Sequence, residues 1–288
     1  MAPRFDADRV TVEPRMVDSP LALLSVDLET DYGSDLDEAL SHTDRLLVFL
    51  ARLDVPLTAF VEGQFFERRK PLCRMLLDAG VDVQLHCYDH GEAGDTPASL
   101  RRGALAFEDF CGRPPDGYRA HTYHLTHELY ETLLERGFHW DSSLMRGLGQ
   151  GSNPHRKFRT GDYFLLDGRL VEFPIATWRG TPFPLNHPYR LLMKAPAEAL
   201  LWAVAGCGPL VAYNVHLTDL VRCGSLSHSP IKGLSRLLFR YMWVTQGTDT
   251  FGALEAFILR LRAARYEFLS THELYRRIDP GRADTAGR

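Results

Sequence analysis

Cysteine is scarce in this sequence, and no two cysteines are arranged as a zinc-binding or redox pair. Five cysteines are scattered over 288 residues, and none forms a C-x-x-C motif. This odd, scattered set excludes a disulfide-stapled scaffold and a zinc knuckle. We therefore expect reduced thiols and a fold that is stabilised by burying the hydrophobic residues, which make up 45% of the chain.

Long apolar runs, an excess of basic residues and a secretion signal are also missing. The longest apolar stretch, residues 199–213, is interrupted by Gly206, Gly208 and Pro209 and is shorter than the roughly 20 residues of a membrane-spanning helix. The chain has 33 Lys and Arg against 37 Asp and Glu, so nucleic-acid binding is not expected. The first 20 residues lack the apolar segment of a signal peptide, which predicts a cytoplasmic protein.

Short apolar runs alternate with amphipathic helical patterns, which is typical of a mainly parallel sheet with helices between its strands. Six or seven such strands favour a closed or nearly closed α/β barrel. We expect one domain over residues 21–278, with an N-terminal extension (1–20), an inserted β-hairpin near 158–175 and a C-terminal tail (279–288). The predicted strands are 21–28, 56–62, 81–86, 117–120, 138–143, 209–216 and 266–270; the predicted helices are 37–53, 66–79, 98–111, 127–136 and 251–264, and a loop is predicted over 182–196.

Acidic and imidazole side chains follow two of the predicted strands. Asp27 and Glu29 alternate at the end of the first strand, and His86 and His90 form an H-x3-H pair after the third. Residues i and i+2 of a strand point to the same side, so both carboxylates would face the barrel mouth, where catalytic groups collect. Two histidines and one carboxylate provide the ligands of an open catalytic metal site. A solvated acidic loop is the alternative interpretation of the carboxylates.

Five motifs in this order resemble those of the polysaccharide deacetylases, also called NodB-homology or carbohydrate esterase family 4 proteins. SVDLE (25–29) resembles the family's first motif, and the H-x3-H pair resembles the second. YRAH (118–121), WDSS (140–143) and VHLTD (215–219) resemble the third, fourth and last motifs. The resemblance covers residues 21–278, and it implies a distorted (β/α)7 barrel of the glycoside hydrolase/deacetylase type that hydrolyses a non-peptide amide bond.

The resemblance also implies a role for each motif residue. Glu29, His86 and His90 would hold a divalent metal ion, with Zn2+ the first choice, and Asp27 would accept the proton of the attacking water. His216 would protonate the departing amine. The positioning residues would be Arg119, which keeps Asp27 ionised, and Asp141, which orients His216 and raises its pKa; His121, Tyr123 and Trp178 would contact the substrate.

The sequence departs from the family pattern at two points. The second acid is Glu29 rather than a residue adjacent to Asp27, so the roles of base and ligand could be exchanged between the two carboxylates. His121 stands where the family usually has proline. His121, His124 and His127 are spaced by three, which could suggest a second metal site, but we expect pocket lining and a helix start here instead.

The resulting hypothesis is a hydrolase that removes an acetyl or other small acyl group from an amino sugar in a soluble or lipid-linked biosynthetic intermediate. One alternative is a cyclic-amide hydrolase that resembles the allantoinase-like branch of the same superfamily. Another is a catalytically silent sugar-binding protein. Metal content would separate the silent protein from the enzymes, and release of free acetate would separate deacetylation from ring opening.

One apolar and aromatic segment suggests a membrane partner. Residues 234–244, LSRLLFRYMWV, carry Arg236 and Arg240 among large apolar side chains. Such a segment would be able to rest on the inner face of a membrane and present a lipid-linked sugar to the cleft. The alternative is an ordinary amphipathic helix that packs on the core.

Overall fold

The computed structural model describes residues 5–31, 36–89, 95–145, 158, 161–224 and 232–279. In this part of the chain, ten strands form one curled sheet. The strands are β1 (Val12–Arg15), β2 (Leu21–Leu28), β3 (Thr58–Val61), β4 (Asp82–Leu85), β5 (Gly117–Tyr118), β6 (Trp140–Asp141), β7 (Tyr163–Leu166), β8 (Leu170–Glu172), β9 (Leu210–His216) and β10 (Glu267–Leu269).

Seven parallel strands of the described chain curl into a distorted barrel, in the order β9-β2-β3-β4-β5-β6-β8. The two ends of this row meet just after β8, where the amide of Ala176 donates to the carbonyl of Ala212 in β9 at 3.0 Å. β10 pairs in parallel with the first residues of β2, beside β3. The predicted barrel class is therefore confirmed, and the carboxyl ends of neighbouring strands face one cleft.

Helices cover the outside of the barrel, and they differ from prediction most clearly over residues 66–79 and 182–196. The helix predicted over 66–79 is split at Arg69, whose backbone (φ −125°, ψ 41°) is not helical. The predicted loop 182–196 contains the start of a helix that Lys194 and Pro196 interrupt, which hides its periodicity in the sequence. The helices are α1 (Thr43–Arg52), α2 (Gly63–Arg68), α3 (Lys70–Asp78), α4 (Pro97–Cys111), α5 (His127–Glu135), α6 (His187–Val204), α7 (Leu217–Leu220), α8 (Gly233–Gln246), α9 (Phe251–Ala263) and α10 (Thr271–Ile278).

None of the helices in the described ranges is long and apolar enough to cross a membrane.

The hairpin and the N-terminal residues pack together on one flank of the barrel. β7 and β8 form an antiparallel hairpin that turns at Asp167 and Gly168, and β1 adds to the free edge of β7. β8 also pairs in parallel with β6, so it is a strand of the barrel rather than an excursion from it.

Burial on both faces explains why the strands appear as apolar runs in the sequence. Every residue of β2 and β3 is buried, because helices cover one face of a parallel sheet and the barrel interior covers the other. Among the buried polar residues, Ser25, Asp27 and Asn214 lie on β2 and β9 toward the cleft end. The barrel thus places buried polar side chains where a site can form.

Candidate active site

Asp27 is held at the end of β2 by two donors. Arg119 Nη1 donates to Asp27 Oδ1 at 2.7 Å, and Asn214 Nδ2 donates to Asp27 Oδ2 at 2.9 Å. Asp27 is 3% exposed, so its carboxylate has one fixed orientation with one edge toward the cleft. The predicted pairing of Arg119 with Asp27 is present.

Arg119 is a buried cation whose hydrogen bonds connect β2, β9 and the residue that follows β6. Besides Asp27, its guanidinium donates to Ser25, to Asn214 and to Ser142 after β6. Its Cζ atom lies over the ring of Phe60, 3.9 Å from the ring centroid. A buried charge that lacked such partners would be strongly destabilising, so this network offsets the cost of desolvating both Arg119 and Asp27.

The surroundings of Asp27 keep its carboxyl group ionised. Burial raises its pKa, but the positive charges of Arg119 and His216 help to outweigh this effect, and the net pKa lies below the usual value. A carboxylate that stays charged at neutral pH is an acceptor for the proton of a water molecule in the cleft.

His216 faces Asp27 from the end of β9. Its Nε2 lies 3.5 Å from Asp27 Oδ2 and 3.6 Å from Glu29 Oε1, while its Nδ1 lies 3.0 Å from Asp219 Oδ2. Burial lowers the pKa of His216, but Asp219, Glu29 and Asp27 outweigh it and raise the pKa to about 10. His216 is therefore an imidazolium at neutral pH, with its Nε2 proton directed toward the cleft.

The prediction that Asp141 orients His216 is wrong. Asp219 occupies that place, and it also accepts the backbone N–H of His216 at 2.8 Å. Asp141 is fully buried, and it accepts bonds from the hydroxyl and the amide of Ser143. In the sheet it lies opposite Glu172, and burial raises the pKa of both carboxyls, which indicates that the pair holds a proton.

Glu29 and His86 lie together at the cleft, as predicted for metal ligands. His86 Nδ1 is 2.7 Å from the carbonyl oxygen of Arg119, which only accepts, so Nδ1 carries the proton. The Nε2 lone pair is then directed toward Glu29 Oε2, which is 3.2 Å away. A neutral imidazole fixed through its other nitrogen is a typical metal ligand, so these residues fit a divalent ion. His90 lies outside the described residues.

A cavity of about 220 Å³ opens above these groups. This volume is smaller than the roughly 300 Å³ at which drug-sized pockets begin, so it fits a group the size of one sugar. Besides strand-end residues it is lined by the first turn of α6, which begins after its N-cap Asn186. The lining residues are Asp27, Glu29, His86, Thr122, Tyr123, Met145, Asn186, Pro188, Tyr189 and His216.

The three residues predicted to contact substrate lie in three different places. Tyr123 lines the cavity, and its hydroxyl oxygen accepts from Asn214 Nδ2 at 2.6 Å. His121 is 4% exposed and is not among the residues that line the cavity, and its ring plane lies at 74° to that of His86, which does line it. The prediction for Trp178 is wrong: its side chain is fully buried in the core, where it packs edge-on against Trp202.

The sequence analysis missed four polar residues of the site. Asn214 lies two residues before His216, and Asp219 lies inside the quoted motif VHLTD, so strand alternation and a capping pattern would have been usable signals. Glu62 follows β3 and Asp95 precedes α4, and both carboxylates lie beside His121. No local pattern marks these two, because only the barrel brings them close.

Comparisons with known proteins find similar sequences among the deacetylases. Residues 25–132 match the family model of the polysaccharide deacetylases. A peptidoglycan deacetylase of Helicobacter pylori is 31% identical over 106 residues, and the peptidoglycan deacetylase-like protein FGM2 of Gibberella zeae is 26% identical over 122 residues. These matches cover 35% and 40% of this chain, and they span 36% of the length of each relative.

Solved structures share the fold over most of the chain. PuuE allantoinase has a TM-score of 0.56 at 15% identity, with 91% of each chain covered. BA3943, a carbohydrate esterase family 4 pseudoenzyme from Bacillus anthracis, has a TM-score of 0.52 at 13% identity, with 90% of this chain and 66% of that chain covered. At these identities the likeness concerns the fold alone. The predicted resemblance to the polysaccharide deacetylases is confirmed over residues 25–132, and the matched segments span about a third of the length of these relatives.

Proposed function

We propose that this chain is a metal-dependent hydrolase that removes the acetyl group from an N-acetylated amino sugar carried by a soluble or lipid-linked intermediate. The observation that carries the proposal is the pair of side chains that face each other across the cavity. Asp27 is a fixed, ionised carboxylate, and His216 is a fixed imidazolium. Amide hydrolysis needs one group to take a proton from water and another to give a proton to the amine.

Asp27 and His216 each carry out one of the two proton transfers of the proposed reaction. With an acetamido group in the cavity, Asp27 accepts the proton of a water that attacks the carbonyl carbon, and Arg119 keeps that base in place. A divalent ion held by Glu29 and His86 would polarise the amide carbonyl and acidify water. His216 then donates its Nε2 proton to the nitrogen as the C–N bond breaks, and the products are acetate and the free amine.

The test is a screen of N-acetylated sugars with the purified, metal-loaded chain, read out by mass spectrometry and by an assay for free acetate. We expect a loss of one acetyl group from at least one substrate, and most of this activity should be lost in the Asp27→Asn variant. Ring opening of a cyclic amide would instead add one water and release no acetate. Metal binding without turnover of any substrate would favour a silent sugar-binding protein.

We also propose that the substrate is presented at an anionic membrane surface by α8. Five large apolar side chains recur along one face of this helix and are exposed to solvent, among them Leu234 (69%), Leu237 (63%) and Val244 (78%). In contrast, the buried side chains of α8 are Met242 and Trp243. Contiguous apolar faces of this kind are uncommon on monomers and mark a docking surface.

Charge supports a membrane as the occupant of this face. Residues 232–246 contain Lys232, Arg236 and Arg240 and no acidic residue, in a chain whose net charge is −4. An apolar face beside basic side chains is the pattern that binds anionic lipid headgroups. α8 packs on α6, whose first turn lines the cavity, and Lys194 of α6 lies over the ring of Tyr241. A sugar on a lipid carrier that is bound at α8 would therefore lie next to α6, the helix whose first turn lines the cavity.

Sedimentation with vesicles tests this part of the proposal. The chain should bind phosphatidylglycerol vesicles more tightly than phosphatidylcholine vesicles, and Arg236→Ala with Arg240→Ala should weaken the binding about 30-fold, because each charge contributes about 1 kcal/mol. Serine at 234, 237 and 244 should abolish binding. Serine at 48, 105 and 259, which are exposed apolar positions on α1, α4 and α9, is the matched control. Equal loss in both triple variants would contradict membrane docking by α8.

A reducing compartment is the proposed location. The five cysteines are thiols rather than disulfides, and burial raises the pKa of Cys73 to about 12. Free thiols in this number are typical of intracellular proteins. Fractionation of cells that express the tagged chain, with and without a carbonate wash, would place it in the cytoplasm, at the membrane periphery or elsewhere.

A further inference from the structure

We propose that His121 is a ligand of the same divalent ion as Glu29 and His86. This inference rests on the proposed metal dependence and adds a residue to it. The ring centroids of His86 and His121 are 4.1 Å apart, with the planes at 74°. One ligand atom each from Glu29, His86 and His121 lies within 4.8 Å of the others. An ion that these two imidazoles and the carboxylate coordinate would have the three protein ligands of an open catalytic site.

The topology brings these ligands together from neighbouring strands. Glu29 follows β2, His86 follows β4 and His121 lies three residues beyond β5, at the carboxyl ends of the barrel strands. β4 and β5 are adjacent and parallel, with Leu85 paired to Tyr118. Their following residues therefore lie side by side, although 35 positions separate them in the sequence.

The hydrogen bonds of both histidines orient Nε2 as the ligand atom. His121 Nδ1 lies 2.7 Å from Asp95 Oδ1, and the backbone N–H of His121 donates to Asp95 Oδ2 at 2.8 Å. Asp95 accepts, so the Nδ1 proton of His121 is fixed, just as the carbonyl of Arg119 fixes that of His86. A carboxylate on the far nitrogen of a histidine is the usual outer partner of a metal-bound imidazole.

The charges around His121 also favour a cation. The carboxylates of Glu29, Glu62 and Asp95 lie around the two imidazoles, and the guanidinium of Arg119 is already paired with Asp27. Glu62 is fully buried, and its Oε1 is 3.5 Å from His121 Nε2, with no hydrogen bond within the described residues. Buried carboxylates in this excess are stabilised by a divalent ion.

Zinc binding by the full chain tests the proposal without any substrate, so a failure of the deacetylase assay does not affect the result. His121→Gln should weaken Zn2+ binding by more than the roughly 10- to 100-fold that is typical of losing an outer partner, and Asp95→Asn should weaken it within that range. His127→Gln is the matched control, because it belongs to the same triple spacing but pairs with Glu131 at 3.3 Å. The His90→Gln variant is measured in parallel.

A second measurement uses the wild-type chain, so it does not depend on the variant folding. With 15N-labelled histidine, adding Zn2+ should shift the Nε2 resonance of His121 together with that of His86. Zn2+ binding in His121→Gln that equals the wild type, or a His121 resonance that stays in place while that of His86 moves, would overturn the proposal. A wild-type chain that binds no Zn2+ would overturn it as well.

Discussion

Replacing Asp219 with asparagine should show whether the charge of Asp219 prepares His216 to protonate the departing amine. Asp219 Oδ2 lies 3.0 Å from His216 Nδ1 and accepts the backbone N–H of His216 at 2.8 Å. Asparagine keeps the size of the side chain and an acceptor oxygen for this cap. It removes the negative charge that, against the lowering effect of burial, contributes most to the raised pKa of His216.

The size of the effect follows from the geometry of the pair. A hydrogen bond to a charged group contributes about 1.5 to 3 kcal/mol, and one pKa unit corresponds to about 1.4 kcal/mol. The pKa of His216, about 10 in the wild type, should therefore fall by about one to two units in Asp219→Asn. Because the imidazolium is the active form, activity is lost as the pH rises through this pKa. In a plot of kcat/KM for the amide substrate against pH, the basic limb should therefore move to lower pH by the same amount.

The assay compares kcat/KM for an N-acetyl sugar and for an activated aryl acetate across the basic pH range. A phenolate leaves without protonation, so the limb should move for the amide much more than for the ester. Glu255→Gln is a matched control, because Glu255 forms an ion pair with Arg52 at 2.9 Å. If the amide limb stays in place while the variant remains folded and metal-loaded, Asp219 acts only as the cap of α7.

Three further substitutions test other parts of the site. His216→Ala should lower amide turnover by about two to four orders of magnitude at unchanged metal content and affect the aryl acetate much less; equal losses on both substrates would assign His216 to binding or structure. Asp141→Asn should leave the basic limb of the amide profile where it is, since Asp219 holds His216, and a shift would contradict this geometry. Glu172→Gln should raise Tm relative to the wild type, and more so at alkaline than at acidic pH. The raised pKa of Glu172 means that folding takes up a proton, so the wild type loses stability as the pH rises from the unfolded-state pKa toward the folded-state pKa. The loss is about 1.4 kcal/mol for each pH unit between those two pKa values, and the amide avoids it. A gain in Tm that is equal at all pH values would contradict a shared proton.

The barrel was predictable because its strands are buried on both faces. β2 and β9 appear in the sequence as apolar runs with almost the same bounds as in the structure. β5 and β6 have only two residues each, so their predicted bounds were too long. α6 was missed because Lys194, with φ 63° and ψ 158°, breaks its helical repeat.

The site was predictable only where a residue ends a strand. Asp27, His86 and His216 follow apolar runs, and parallel strands bring such positions to one cleft. The partner of His216 depends on a local turn: Asp219 is three residues away and caps α7, whereas Asp141 lies at the end of β6. The pairing of His121 with Asp95 joins two residues that are 26 positions apart in the sequence, and no periodicity encodes it.

The central claim is that a fixed carboxylate and a fixed imidazolium hydrolyse an amide in this cavity. The most direct measurement is acetate release from an N-acetylated sugar by the wild type and by Asp27→Asn at equal metal content. We expect stoichiometric acetate and free amine from the wild type, and a loss of most of this activity in Asp27→Asn with the ion retained. Acetate release that persists unchanged in Asp27→Asn would contradict the account, because no proton acceptor would then be required at the end of β2.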